Sequence, residues 1–232
     1  MFHPVDHPLE RGWVGRVDGD RVVQLAAQTL QSLFSGGGTA REHAEYPLAE
    51  VRLLAPILHP PSVRVFDEQD DYAFANPAAI VGPGATVSAR RSPSDTVSQG
   101  LLTVAPRLAV VMGADGAPGA FTVLAEWRDP ARLPPKDRDF ALGVGPVAVT
   151  PDELQPGGRS VAVRVDEVER AADGFTDFDW AAAVAFAADG TKLYPGDLIV
   201  GPTAAVVESI VPGSSVEVEV DGIGVLEQRI AG

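Results

Sequence analysis

A chain of 232 residues with 18 Lys and Arg against 32 Asp and Glu carries a net charge of −14. A surface this acidic repels phosphate backbones and argues against nucleic acid as a partner, and no run of about 18 apolar residues is present to span a membrane. The absence of cysteine rules out a disulfide framework and suits the cytoplasm. The first residues, MFHPVDHPLERGWVG, lack the basic start and apolar run of a secretion signal. The four histidines, His3, His7, His43 and His59, all lie towards the N-terminal end, so histidine-based catalysis or a zinc site has to be built from those.

In chain order, Gly12 to Leu25 reads as a hairpin around Asp18-Gly19. Ala26 to Phe34 has helical spacing, with Leu30, Leu33 and Phe34 on one face, and Gly36-Gly37-Gly38 stops it. VRLLAPI, residues 51–57, reads as a short strand closed by His59-Pro60-Pro61. Residues 1–58 thus form a small leading module and 59–232 a larger unit. Beyond Ser62, short apolar runs alternate with Gly and Pro. Ala79–Val81 leads into the turn Gly82-Pro83-Gly84. Leu108–Met112, Ala120–Leu124, Val147–Thr150, Val161–Val165, Leu198–Val200, Val216–Val220 and Gly224–Ile230 read as strands. Thr176–Ala188 reads as a helix because of its alanines, capped by Thr176, Asp177 or Asp179. Arg90–Gln99 is the most loop-like stretch. Trp13, Trp127 and Trp180 are too scattered for a stacking platform and read as core. Many short strands with few helices imply a mixed β-rich α+β fold.

Seven stretches in order carry a resemblance. They are NPAAIVGPGATV (76–87), LAVVMG (108–113), FTVLAEW (121–127), KDRDFALGVGP (136–146), VTPDEL (149–154), LYPGDLIVGPT (193–203) and VDGIGVLEQRI (220–230). Together they resemble the fumarylacetoacetate hydrolase superfamily, and the leading hairpin resembles that family's small N-terminal domain. The resemblance implies a flattened β-roll and a homodimer, or a heterodimer with a paralogue. It implies cleavage, isomerisation or decarboxylation of acylpyruvates and related β-diketo acids. It also implies a divalent ion, magnesium or calcium, held by carboxylates and acting as a Lewis acid on a small carboxylate ligand.

The resemblance places a Glu-x-Glu pair before LAVVMG, on one face of a strand. This sequence has Ala105 and Arg107 there. A third carboxylate belongs to an Asn-Asp pair, which here is Ala125-Glu126. Glu126 is therefore the only ligand-like position retained. Two attractive charges are lost and one repulsive charge is gained, each worth roughly 4 kcal/mol at about 4 Å and an effective dielectric near 20. No metal cofactor is expected; magnesium or calcium remains the expectation only if the family's site survives. Arg107 then either occupies the place of the ion or is a surface arginine on a bent edge strand that Pro106 blunts.

The resemblance also implies a Glu-His dyad on a mobile segment after a strand here spelled Val63-Arg64-Val65-Phe66. The segment DEQDDYAFANP is short and has no histidine. Asp70 stands nearest the Glu, and Tyr72 nearest the His. Lys136 and Asp139 keep the family's spacing, and Thr203 its threonine, while Pro202 removes a backbone donor. The candidate catalytic residues are Arg107, Lys136, Asp139 and Asp70. The candidate substrate-binding residues are Thr203 and Tyr72. The acidic stretch Asp67–Asp71 lacks EF-hand order and reads as a solvated loop. Three functions fit. One is a homologue without the metal-dependent hydrolase chemistry. Another is a metal-independent enzyme using Arg107 and Lys136 on a keto or enol carboxylate. The third is a metal-dependent acylpyruvate hydrolase whose ligands come from Asp67–Asp71.

Overall fold

The computed structural model describes residues 1–36, 41–88 and 100–232. The loop expected at Arg90–Gln99, and Gly37-Gly38 of the expected helix stop, lie outside the described residues. The leading part holds β1 (Phe2–Pro4), β2 (Gly15–Asp18), β3 (Arg21–Leu25), α1 (Leu30–Phe34), β4 (Glu42–Pro47) and β5 (Val51–Leu53). Strands β2, β3 and β4 form an antiparallel sheet, and β1 pairs with β5. The hairpin is where the sequence puts it. Gly19 takes φ +61 at its tip, a conformation glycine adopts without steric cost. Helix α1 is shorter than the spacing predicts. The Ala26 amide donates to the Arg41 carbonyl, which ties residue 26 to the sheet side. The Thr29 hydroxyl then accepts from the Ser32 amide, so the helix starts at Leu30.

The rest of the chain holds β6 (Val63–Glu68), β7 (Asp71–Ala75), β8 (Ile80–Val81), β9 (Thr86–Val87), β10 (Leu102–Met112), β11 (Pro118–Arg128), β12 (Leu142–Val149), β13 (Ser160–Val165), β14 (Val168–Gly174), α2 (Trp180–Ala188), β15 (Leu198–Thr203), β16 (Val207–Ile210), β17 (Ser215–Val220) and β18 (Gly224–Ile230). The fold is mixed and β-rich, as expected. One large sheet runs β7-β6-β15-β10-β11-β12-β8, with β16 also on β10; a second runs β14-β13-β17-β18-β9. Among the options for capping α2, Asp179 does so by accepting from the Ala182 amide.

Side chains alternate across the large sheet. One face carries Leu102, Val104, Leu108, Val110 and Met112, packed against Val161, Val163, Val218 and Leu226 of the second sheet and Ala183 and Ala187 of α2. The other carries Ala109, Val111, Leu124, Val144 and Val200, packed with Val14, Leu30, Ala55 and Ile57 of the leading part. A bond from Trp127 Nε1 to Gln228 Oε1 (2.7 Å) ties the two sheets together in the core.

Two expectations need correction. Strand β10 starts at Leu102, not Leu108, so Pro106 and Arg107 lie inside a central strand rather than at its mouth. The proline is tolerated because β10 changes neighbours there. It pairs with β16 at Leu102 and Val104 and with β15 from Arg107 on, so no ladder N–H is asked of residue 106 on that side, where its carbonyl accepts from the Ala204 amide. The acidic stretch Asp67–Asp71 is a tight hairpin rather than a loop: Asp67 and Glu68 end β6, and Asp71 begins β7.

Candidate functional site

Strands β10 and β11 set the geometry. Ala105 lies directly opposite Glu126, and Arg107 follows two residues along the same face. The three positions singled out in the sequence are therefore neighbours. The Ala105 methyl offers no donor. The Arg107 side chain is 1% exposed and Glu126 is 2% exposed. Arg107 Nε donates to Glu126 Oε2 at 2.8 Å. Its Nη1 donates to the Phe66 and Gly201 carbonyls at 3.2 and 3.1 Å, and its Nη2 donates to Asp67 Oδ1 at 2.7 Å. The guanidinium is thus enclosed by four strands, β6, β10, β11 and β15. An edge-strand surface arginine, the alternative the sequence left open, is not what the structure holds.

Glu126 is shared. Its Oε1 accepts from Arg128 Nη2 and Nε at 2.9 and 3.2 Å, and Arg138 Nη1 lies 3.7 Å from the same oxygen. Arg128 and Arg138 are not singled out in the sequence, and Asp67 is named there only as part of the acidic stretch Asp67–Asp71, not as a partner of Arg107. Alternation along β11 signals Arg128, two residues from Glu126. Arg138 and Asp67 have no comparable local signal, because each arrives from a separate segment.

The other candidates lie apart from this cluster or are engaged locally. Lys136 Nζ pairs with Asp139 Oδ2 at 2.6 Å, with the lysine 70% exposed. Asp139 also offers its backbone carbonyl to Asn76. Asp70 is exposed at the tip of the β6–β7 hairpin. That tip is clasped to the start of α2: Gln69 Nε2 donates to the Asp179 carbonyl, and its Oε1 accepts from the Asp179 amide. The Tyr72 ring packs on Phe66, Phe74 and Phe186. Thr203 sits opposite Arg107 in the ladder, with its hydroxyl 2.9 and 2.6 Å from the Pro106 and Ala205 carbonyls. Among the described residues, no histidine side chain hydrogen-bonds to the Arg107 network, and no three His, Cys, Asp or Glu side chains gather as a metal centre. A cleft of about 410 Å³ adjoins Gly201, lined in part by Leu108, Phe178, Trp180, Asp177 and Asp179.

The sequence profile described as fumarylacetoacetate (FAA) hydrolase, C-terminal, matches residues 123–231, and one described as Rv2993c-like, N-terminal, matches residues 12–56. The first match gives residues 123–231 as the C-terminal domain of the fumarylacetoacetate hydrolase superfamily. Among solved structures, it is similar to the maleylpyruvate hydrolase from Sphingobium sp. SYK-6 in complex with manganese(II) ion and pyruvate. The TM-score is 0.78 with 20% identity, covering 96% of this chain and 97% of that one. It is similar to 2-hydroxyhepta-2,4-diene-1,7-dioate isomerase from Mycobacterium marinum, with TM-score 0.73 and 23% identity over 94% and 92% of the two chains. It is also similar to 2-keto-3-deoxy-D-arabinonate dehydratase complexed with magnesium and 2,5-dioxopentanoate, with TM-score 0.74 and 16% identity over 96% of each. These likenesses establish the shared β-roll fold. No curated protein matches the chain. Among the described residues, no helix is long and apolar enough to cross a membrane.

Proposed function

We propose that this superfamily member works without the divalent ion. In this reading it binds a small keto or enol carboxylate and does not catalyse metal-dependent carbon–carbon hydrolysis. The observation that carries it is the Arg107 cage. A hard divalent cation needs several free oxygen ligands. Here both oxygens of the buried Glu126 are engaged by guanidinium groups, Asp67 is paired to Arg107, and residue 105 is alanine. The residues present do not fit a magnesium, manganese or calcium ion. Placing one there brings it against a fixed positive charge and strips Arg107 of its partners. Breaking such a buried pair costs about 3–5 kcal/mol.

Hydrolysis also needs a positioned base for water. A general base has to reach its proton at hydrogen-bond distance. Asp70 is on a clasped hairpin tip and exposed, and Lys136 and Asp139 are paired with each other. These placements support a binding protein more than a hydrolase. The neighbours solved with manganese and pyruvate or with magnesium and a dioxo acid supply the ligand class by analogy alone.

The test is elemental analysis of protein purified without chelators, followed by melting with oxalate, magnesium or both. The expected result is no stoichiometric metal and an oxalate-dependent rise in Tm that magnesium does not change. Stoichiometric divalent metal, or magnesium-dependent release of pyruvate from an acylpyruvate, overturns the proposal.

A further inference from the structure

Three guanidinium groups converge on the single carboxylate of Glu126. Arg107 already satisfies Oε2, so Arg128 and Arg138 both turn to Oε1. With Asp67 included, three positive groups face two negative ones, in a chain whose net charge is −14. Nearby, Lys136 is paired with Asp139 and Arg132 with Asp129, and the half-buried Asp137 leaves Oδ1 without a hydrogen-bond partner among the described residues.

The three arginines are not equivalent. Arg107 is sealed in. Arg128 and Arg138 have side chains 36% and 34% exposed. Arg128 spends Nε and Nη2 on Glu126, its Nη1 has no hydrogen-bond partner among the described residues, and the 3.7 Å approach of Arg138 is an ion pair without a hydrogen bond. The Arg128 fork is held by the buried Glu126 oxygen, the Arg138 fork lies beside the same oxygen, and both retain N–H groups for a ligand above. The cleft beside Gly201 offers an anion no such reception, because its lining includes Asp177 and Asp179 and no cation.

We infer that Arg128 and Arg138 form a docking site for the carboxylate of a small organic acid. The ligand's planar anion lies against the two forks, with Glu126 beneath as their common anchor. Arginine forks match planar carboxylates in two-point contact. The inference deepens the proposed function and rests on it for the class of ligand; the site itself stands on the arginine geometry. Arg107 then holds the strands together and does not touch the ligand.

Isothermal titration calorimetry on the full chain, with oxalate and separately with inorganic phosphate, tests this. Oxalate is expected to bind without magnesium, and more weakly as salt rises. Arg138→Gln and Arg128→Gln are each expected to weaken it roughly tenfold or more, as expected for loss of a charged hydrogen-bond donor. Arg16→Gln, which breaks an exposed ion pair on the leading hairpin, leaves it unchanged. Arg138→Gln keeps every hydrogen bond of Glu126, so it retains the wild-type Tm and carries the test if Arg128→Gln unfolds. No anion binding at millimolar concentration, or wild-type affinity in both variants, overturns the site. Phosphate binding that depends on the two arginines, without oxalate binding, keeps the anion site and refutes the organic-acid ligand. Failure of the metal-free reading shows separately, as magnesium-dependent stabilisation.

Discussion

Arg107→Met is the sharpest perturbation of the cage. Methionine fills most of the volume and removes the charge. The substitution leaves the Phe66 and Gly201 carbonyls and Glu126 Oε2 without the donors they have at 3.2, 3.1 and 2.8 Å. Each stranded acceptor costs about 1–3 kcal/mol, and breaking a buried ion pair from one side costs about 3–5 kcal/mol overall. Because the Arg128 bond to Glu126 Oε1 survives, the lower part of that range is expected. For a chain of this size about 1 kcal/mol moves Tm by roughly 2–4 °C, so Tm falls by about 6 °C or more. Urea unfolding followed by tryptophan fluorescence measures the free energy directly. The double variant Arg107→Met with Glu126→Leu removes both buried charges and is expected to be more stable than the single one. A single variant within about 1 kcal/mol of wild type, or a double variant less stable than the single, contradicts a buried, mutually dependent pair.

Other substitutions probe the frame around the cage. Asp197 accepts from the Ser62 hydroxyl and the Tyr194 amide and lies 3.8 Å from the buried Arg64; Asp197→Ala is expected to lower stability by about 3–5 kcal/mol in urea unfolding. Gly143→Ala drives a methyl into the Gln228 amide that receives Trp127, so a loss of about 1–3 kcal/mol and a shifted tryptophan emission are expected. The Thr150 hydroxyl holds the exposed Asp152 carboxyl below its ordinary 3.8. A carboxylate with a depressed folded pKa adds stability above the unfolded value, and that stability is lost as pH falls through the folded one. A carbon-detected titration is expected to give a midpoint under 3.8 for Asp152, moving up in Thr150→Val.

Much of the roll is legible in the sequence, because strands buried on alternating faces announce themselves. Gly224–Ile230 is found with the same limits, and the helix of 176–188 loses only its first turn to the Asp179 cap. Several of the strands missed are exposed ones. Strands β4, β7 and β14 face solvent along much of their length, so no apolar alternation marks them, and only pairing with a buried neighbour makes them strands. The site divides the same way. Ala105, Arg107 and Glu126 stand out because a family pattern of carboxylates is interrupted there. What the interruption does depends on contacts across 40 and 94 residues of sequence, from Asp67 and Gly201, which periodicity does not report.

The buried guanidinium also acts on assembly. Its partners come from β6, β11 and β15, so the guanidinium is fully partnered only when β11 and β15 have docked on β10, and β6 on β15, in one alignment. Side chains alternate with a period of two, so a slip of one residue turns Arg107 towards Leu108's side, into hydrocarbon between the two sheets. The described side chains clustered there are apolar, and an unpaired charge in that layer is expelled. An apolar residue at position 107 tolerates either alignment. Arginine permits one, and in that sense the strand proofreads its own pairing.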